Sequence, residues 1–337
     1  MTRCRAIGNI PNELMALYYK QRAKAGLIIT EGTSPSPNGL GYARIPGIFS
    51  EEQINGWRKV TDAVHSQGGK IAIQLMHCGR IGHTWNLPEG TKLLAPSAIK
   101  AKGQIYTDTH GMQEMGTPQA MTPEDIITTK QEFVTAAENA VKAGFDDVEL
   151  HSANGYLLEQ FLSPISNQRT DDYGGSMENR CRFVLEIVNE VAGAIGKNAT
   201  AIRLSPYGVA NDMHYYPEIE KEYTYLAQQL NNAGILYIHL VDHSSMGAPQ
   251  VPDSIKNTIR QNFKNTLILS GGYTLEQAES DILSCKADLV AFGKPFINHP
   301  DLIKRFQTNS PLSDNLDTST FYTPGEKGYT DYPTYLW

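Results

Sequence analysis

The sequence predicts an α/β fold, a (β/α)8 TIM barrel whose first strand is largely missing from the chain. Three observations carry that expectation. Seven short runs of β-branched and aliphatic residues alternate with amphipathic stretches along 337 residues, and β-α alternation gives a parallel sheet with helices outside it. Polar residues crowd the carboxyl ends of the runs, where barrel active sites gather. The last two runs end in glycine, where barrels often hold a phosphate on backbone N–H groups. An open, doubly wound sheet is the alternative, because seven runs fall one short of a closed barrel.

The opening residues 1–6, MTRCRA, read as the end of an otherwise absent first strand. Strand-length runs follow at 26–33, 70–77, 146–152, 200–206, 236–243, 266–272 and 287–293. A helix is expected over 122–144, with Thr122 as its cap, Pro123 in its first turn and Gly144 at its end. The Pro- and Gly-containing segment 78–121 has weak periodicity and reads as an extended loop excursion. No linker divides the chain, so residues 1–337 form a single domain in this reading.

A net charge of −7 and the lack of any Lys/Arg run argue against nucleic acid. With 40% hydrophobic residues and no apolar run near ~18–20 residues, nothing reads as a membrane span. Cys4, Cys78, Cys181 and Cys285 form no Cys-x-x-Cys pair and follow no signal-peptide pattern, which reads as reduced thiols of a cytoplasmic protein. No metal-ligand pattern, dinucleotide fingerprint or P-loop is present in the sequence. The expected partners are small molecules, and the expected state is a monomer or homodimer.

Strand alternation assigns side chains to faces. Ile71, Ile73, Leu75, Val148, Leu150, Ile202 and Leu204 suit the helix side, which turns Gln74, Met76, Glu149, His151 and Arg203 inward. A buried guanidinium needs compensation. Either Arg203 pairs with Glu149, with Gln74 joining them, or a polar ligand sits at the mouth. The stretch VELHSANGY runs out of its strand and places an imidazole, a carboxamide and a phenol, those of His151, Asn154 and Tyr156, at the end where barrel active sites gather. Gly271, Gly272, Gly293 and Lys294 suit a phosphate. His77, His239 and His243 lack such company and read as loop or core residues.

These segments together closely resemble the old yellow enzyme family, FMN-containing ene-reductases that include 12-oxophytodienoate reductases. The markers are MTRCRA, YYKQRAKAGLIITEGT, GYARIPGI, QLMHCGR, HSANGYLLEQFLSPISNQRTDDYGGSMENR, IRLSP, LSGGY, VAFGKPFINHPDL and FYTPGEKGYTDYP. The resemblance implies FMN, reduced by NADPH or NADH, and hydride transfer to the β-carbon of an α,β-unsaturated carbonyl or nitro compound. It implies flavin-ring contacts at Thr2, Gln74 and Arg203, and a phosphate site at Gly271, Gly272, Gly293 and Lys294. It further implies that His151 and Asn154 bind the substrate oxygen, that Tyr156 donates the proton, and that Tyr42, Met76 and Tyr322 line the pocket. Three departures stand out. Met76 replaces a frequent tryptophan, Lys294 replaces a frequent arginine, and a longer N-terminal segment holding most of the first strand is missing. The last departure implies a second reading, a weakly active or non-catalytic barrel of the same family.

Overall fold

The computed structural model describes residues 1–335. Seven parallel strands pair in chain order: β1 (Ile28–Thr33), β2 (Ile71–Leu75), β3 (Asp147–Ser152), β4 (Thr200–Leu204), β5 (Tyr237–Val241), β6 (Thr266–Ser270) and β7 (Leu289–Ala291). With helices packed over this sheet, the architecture is the expected TIM-barrel type. Among the described residues no ladder joins β7 to β1. Each strand lies within its expected run, and β7 is the most shortened, to three residues.

The helices start where their capping chemistry allows. Asn12 caps α1 (Glu13–Gln21), and in α2 (Glu51–His65) and α3 (Pro123–Lys142) Ser50 with Gln53 and Thr122 with Asp125 form reciprocal capping boxes. Thr274 and Gln277 do the same for the helix Leu275–Leu283. The expected end of α3 is met at Gly144, whose φ of 91° is a conformation glycine adopts without a Cβ clash. Ile71, Ile73, Leu75, Val148, Leu150, Ile202 and Leu204 all join the apolar layer between sheet and helices, packed with Val60, Phe133, Ile187 and Leu226. The alternation read from the sequence therefore holds, and it leaves the polar residues of the same strands on the interior.

Segment 78–121 carries small elements of its own. Leu94–Ala95 pairs in parallel with Gln119–Ala120, and Gln104–Thr107 forms a hairpin with Gly111–Glu114. An ion pair from Arg44 to Asp108 ties the hairpin tip to the preceding loop.

The two ends of the chain are wired together. Buried Arg3 donates to the carbonyls of Phe321 (3.1 Å) and Gly328 (2.6 Å), and Arg5 to those of Phe321 (2.7 Å) and Thr320 (2.8 Å). Both guanidiniums also lie over the ring of Tyr329. These contacts satisfy buried cations with carbonyl oxygens instead of carboxylates, and they bring residues 320–329 to the barrel mouth. Among the described residues, no helix is long and apolar enough to cross a membrane.

Candidate functional site

Strand register assembles a continuous polar interior. Gln74 lies opposite Glu149, His151 opposite Arg203, and Arg203 opposite His239. Glu149 accepts from Gln74 Nε2 at 2.6 Å and meets His239 Nδ1 at 2.9 Å, while His239 Nε2 meets Ser270 Oγ at 2.9 Å. Burial alone would raise the Glu149 carboxyl, but His239, Arg203 and Gln74 outweigh it and hold it down at about 2. His239 is thus a core residue, as expected from sequence, with its ring nitrogens engaged.

Arg203 behaves differently. It forms no ion pair among the described residues, and its Nε is buried without a hydrogen-bond partner. Of the two options open in the sequence, the Arg203–Glu149 pairing is absent, because Glu149 is occupied by Gln74 and His239. Burial depresses the guanidinium pKa, partly offset by the nearby Glu149 carboxylate. An unpaired donor of this kind costs free energy unless something polar meets it.

At the end of β3, His151 is buried, with Nδ1 unpartnered and its ring edge-on to Tyr156 at 5.0 Å. Burial, with Arg203 nearby, keeps its imidazole well below the usual histidine range, so it is neutral near pH 7. Asn154 takes a left-handed φ of 58°, which asparagine tolerates better than most residues. Its N–H donates to Ser205 Oγ (2.8 Å), its carbonyl accepts from Asn211 Nδ2 (2.7 Å), and its Oδ1 lies 2.8 Å from His243 Nε2. Tyr156 stands just before α4 (Leu157–Leu162), its hydroxyl 3.1 Å from that of Tyr42. Burial raises both phenols far above their ordinary range, so both keep their protons.

Below this loop lies a buried carboxylate that the sequence reading missed. Glu159 of α4 accepts from Gly155 N–H (2.5 Å), Ser205 Oγ (2.6 Å) and Tyr223 Oη (3.3 Å). Burial pushes it up to about 7. Asn211, Ser205 and His243 were missed with it. A carboxylate inside the apolar run LLEQFL was the available signal for Glu159. The other three reach the loop from later β-α connections, Ser205 and Asn211 from the one after β4 and His243 from the one after β5, and no local pattern marks them.

The other expected residues take these places. Met76 is buried and packs so closely over Gly32 that a Cβ there would come within 2.5 Å of its sulfur; Tyr42 and Tyr156 border the same apolar cluster. Tyr322 is 56% exposed, and its carbonyl accepts from Arg44 at 2.9 Å. Thr2 is half-buried in the segment leading to Arg3, whose N–H donates to Glu31 at 3.1 Å. Gly271 and Gly272 have φ of 133° and 72° after β6. Gly293 precedes the short helix Lys294–Asn298 and faces open space.

Residues 1–313 match the model of the NADH:flavin oxidoreductase / NADH oxidase family. The chain is 41% identical over 339 residues to 12-oxophytodienoate reductase 1 of Oryza sativa subsp. japonica, covering 99% of this chain and 87% of that protein. It is 39% identical, over 99% of its length and 91% of the relative's, to a Leishmania infantum protein named "Probable flavin mononucleotide-dependent alkene reductase". Among solved structures it resembles morphinone reductase in complex with tetrahydroNAD, with a TM-score of 0.94 and 41% identity, covering 100% of this chain and 92% of that one.

Proposed function

The chain belongs to the NADH:flavin oxidoreductase / NADH oxidase family and, within it, to the old yellow enzymes, and on that premise we propose that it is an FMN-dependent ene-reductase. The observation that carries the reading is the convergence of His151, Asn154 and Tyr156 beside Arg203, with Nδ1 of His151 and Nε of Arg203 both lacking protein partners.

The residues present fit the flavin. Arg203 offers a buried, unused N–H donor for the electron-rich pyrimidine edge of the ring, with Gln74 beside it and Thr2 on the neighbouring N-terminal segment. Its positive charge would compensate negative charge gathered on that edge. Gly271, Gly272, Gly293 and Lys294 supply backbone N–H groups and one positive charge for the phosphate. Lys294 carries the charge without the planar fork of an arginine. When bound, FMN supplies the hydride that reaches the substrate's β-carbon, having itself been reduced by NAD(P)H.

His151 and Asn154 donate to the carbonyl or nitro oxygen of the α,β-unsaturated acceptor. That withdraws density from its β-carbon and stabilises the negative charge that develops on the oxygen. Tyr156, still protonated at neutral pH, delivers its phenolic proton to the α-carbon. Its hydroxyl–hydroxyl contact with Tyr42 supports this role by holding the phenol in place. Met76, Tyr42 and Tyr322 border the substrate, with Tyr322 at the rim.

The test is the spectrum of the purified protein. Flavin absorbance bands, a new long-wavelength band on adding phenol, and NADPH-dependent reduction of a cyclic enone are expected. A protein that takes up no FMN when the cofactor is supplied in excess would refute the proposal, and would favour the non-catalytic reading.

A further inference from the structure

We infer that His243 is a positioning residue that decides which end of the Asn154 carboxamide meets the substrate oxygen; this rests on the role of Asn154 proposed above. A carboxamide presents a donor and an acceptor of nearly equal size, and only the NH2 end can stabilise a developing oxyanion. Turned the other way, Asn154 would oppose that charge with its own oxygen.

The main chain of Asn154 is pinned by Ser205 and Asn211, and its left-handed φ aims the side chain. None of these contacts distinguishes the two ends of the amide. The contact that does is His243 Nε2 to Asn154 Oδ1, at 2.8 Å. A carboxamide oxygen can only accept, so Nε2 carries the hydrogen and the imidazole is the donor. The oxygen is thereby occupied, and the NH2 end is left for an incoming ligand.

The placement of the donor is itself built in. His243 lies two residues beyond the end of β5, half-buried, and the N–H groups of Met246 and Ala248 both donate to its carbonyl, at 2.9 and 3.3 Å. This turn comes from β5, whereas Asn154 comes from β3, so the contact ties two β-α loops across β4. Burial, and then the charge of Arg203, hold its ring below the ordinary histidine range, with Asp242 opposing them and Lys294 adding a smaller push in the same direction. Its action does not require a charge, because Nε2–H donates from the neutral ring as well as from the cation.

The experiment is a phenol titration of the FMN-loaded protein, read by the long-wavelength band, across a double-mutant cycle. His243→Phe removes the donor and should weaken phenol roughly 2- to 12-fold, the range of one neutral hydrogen bond. His243→Gln restores an N–H donor and should recover most of that loss, while His243→Glu offers only an acceptor and should weaken phenol more than His243→Phe does. In an Asn154→Ala background His243→Phe should have no further effect. Flavin content and Tm of each variant separate misfolding from mispositioning, and the Gln and Glu pair keeps the test decisive if the Phe variant folds badly. Equal weakening by His243→Phe with and without Asn154 would overturn this inference alone. An unchanged phenol affinity in Asn154→Ala would overturn the role of Asn154 itself, and this inference with it.

Discussion

Tyr156→Phe deletes one oxygen and keeps the ring. That oxygen contacts the Tyr42 hydroxyl at 3.1 Å and the Asn211 side chain, while the ring's edge-on packing against His151 survives the change. The scaffold therefore loses two hydroxyl contacts worth ~0.5–1.5 kcal/mol each, and a Tm drop of only a few degrees is expected. The chemical loss is larger. A positioned general acid contributes ~10²–10⁴-fold, which corresponds to roughly 3–5 kcal/mol of barrier at 1.36 kcal/mol per tenfold. The proton is needed only when the α-carbon is protonated, so the loss should fall on one half-reaction. In anaerobic stopped-flow, flavin reduction by NADPH should stay within a few-fold of the parent, while reoxidation by an enone should slow by at least two orders of magnitude. Equal slowing of both halves, or an unchanged enone step, would refute the proton-donor role.

The glycine turns and the buried carboxylate give three further expected outcomes. Gly271→Ala places a Cβ 1.9 Å from the Asp242 carbonyl oxygen at a φ of 133°, a backbone collision that should cost more than the ~1–3 kcal/mol of a strained conformation alone and appear as lowered Tm with lost flavin. Gly293→Ala meets nothing within 4 Å, so calorimetry should find its stability unchanged while FMN titration finds weaker binding; intact FMN affinity would remove Gly293 from the phosphate site. For Glu159, burial raises the folded pKa from 4.5 to about 7. Its contribution to stability is complete below pH 4.5 and is lost as pH rises through 7, an effect of roughly 3 kcal/mol. Asp147 and Glu222 are raised to about 7 as well, so the readout is a difference: urea melts of Glu159→Gln should show a shallower fall between pH 5 and pH 7 than the parent, and parallel curves would contradict the burial argument.

Much of the barrel was legible because strand and helix signals are local. Period-2 alternation in IAIQL, DVELHS and TAIRL specified which side chains enter the helix layer, and the structure turns Gln74, Glu149, His151 and Arg203 inward as that alternation requires. Thr122, Pro123 and Gly144 bounded α3 for the same reason, since capping is chemistry between near neighbours. Segment 78–121 was legible only as an excursion. Its hairpin and its short parallel pair depend on contacts across gaps that periodicity does not register.

The seven strand runs, the inward-facing polar set and the HSANGY loop were readable from the chain, because each is encoded within a few residues. Tertiary structure alone decided how those groups are satisfied. Alternation could bring Arg203 and Glu149 inside, yet only the register of β2, β3 and β5 gives Glu149 to Gln74 and His239 and leaves Arg203 Nε unpaired. Likewise the sequence offered Asn154 as a donor, but the residues that hold its backbone and amide, Ser205, Asn211 and His243, arrive from positions 51, 57 and 89 residues away. A side chain's chemical type is local information. Whether its donor is spent on a neighbour or kept for a ligand is settled by strand register and loop packing, which depend on the whole fold.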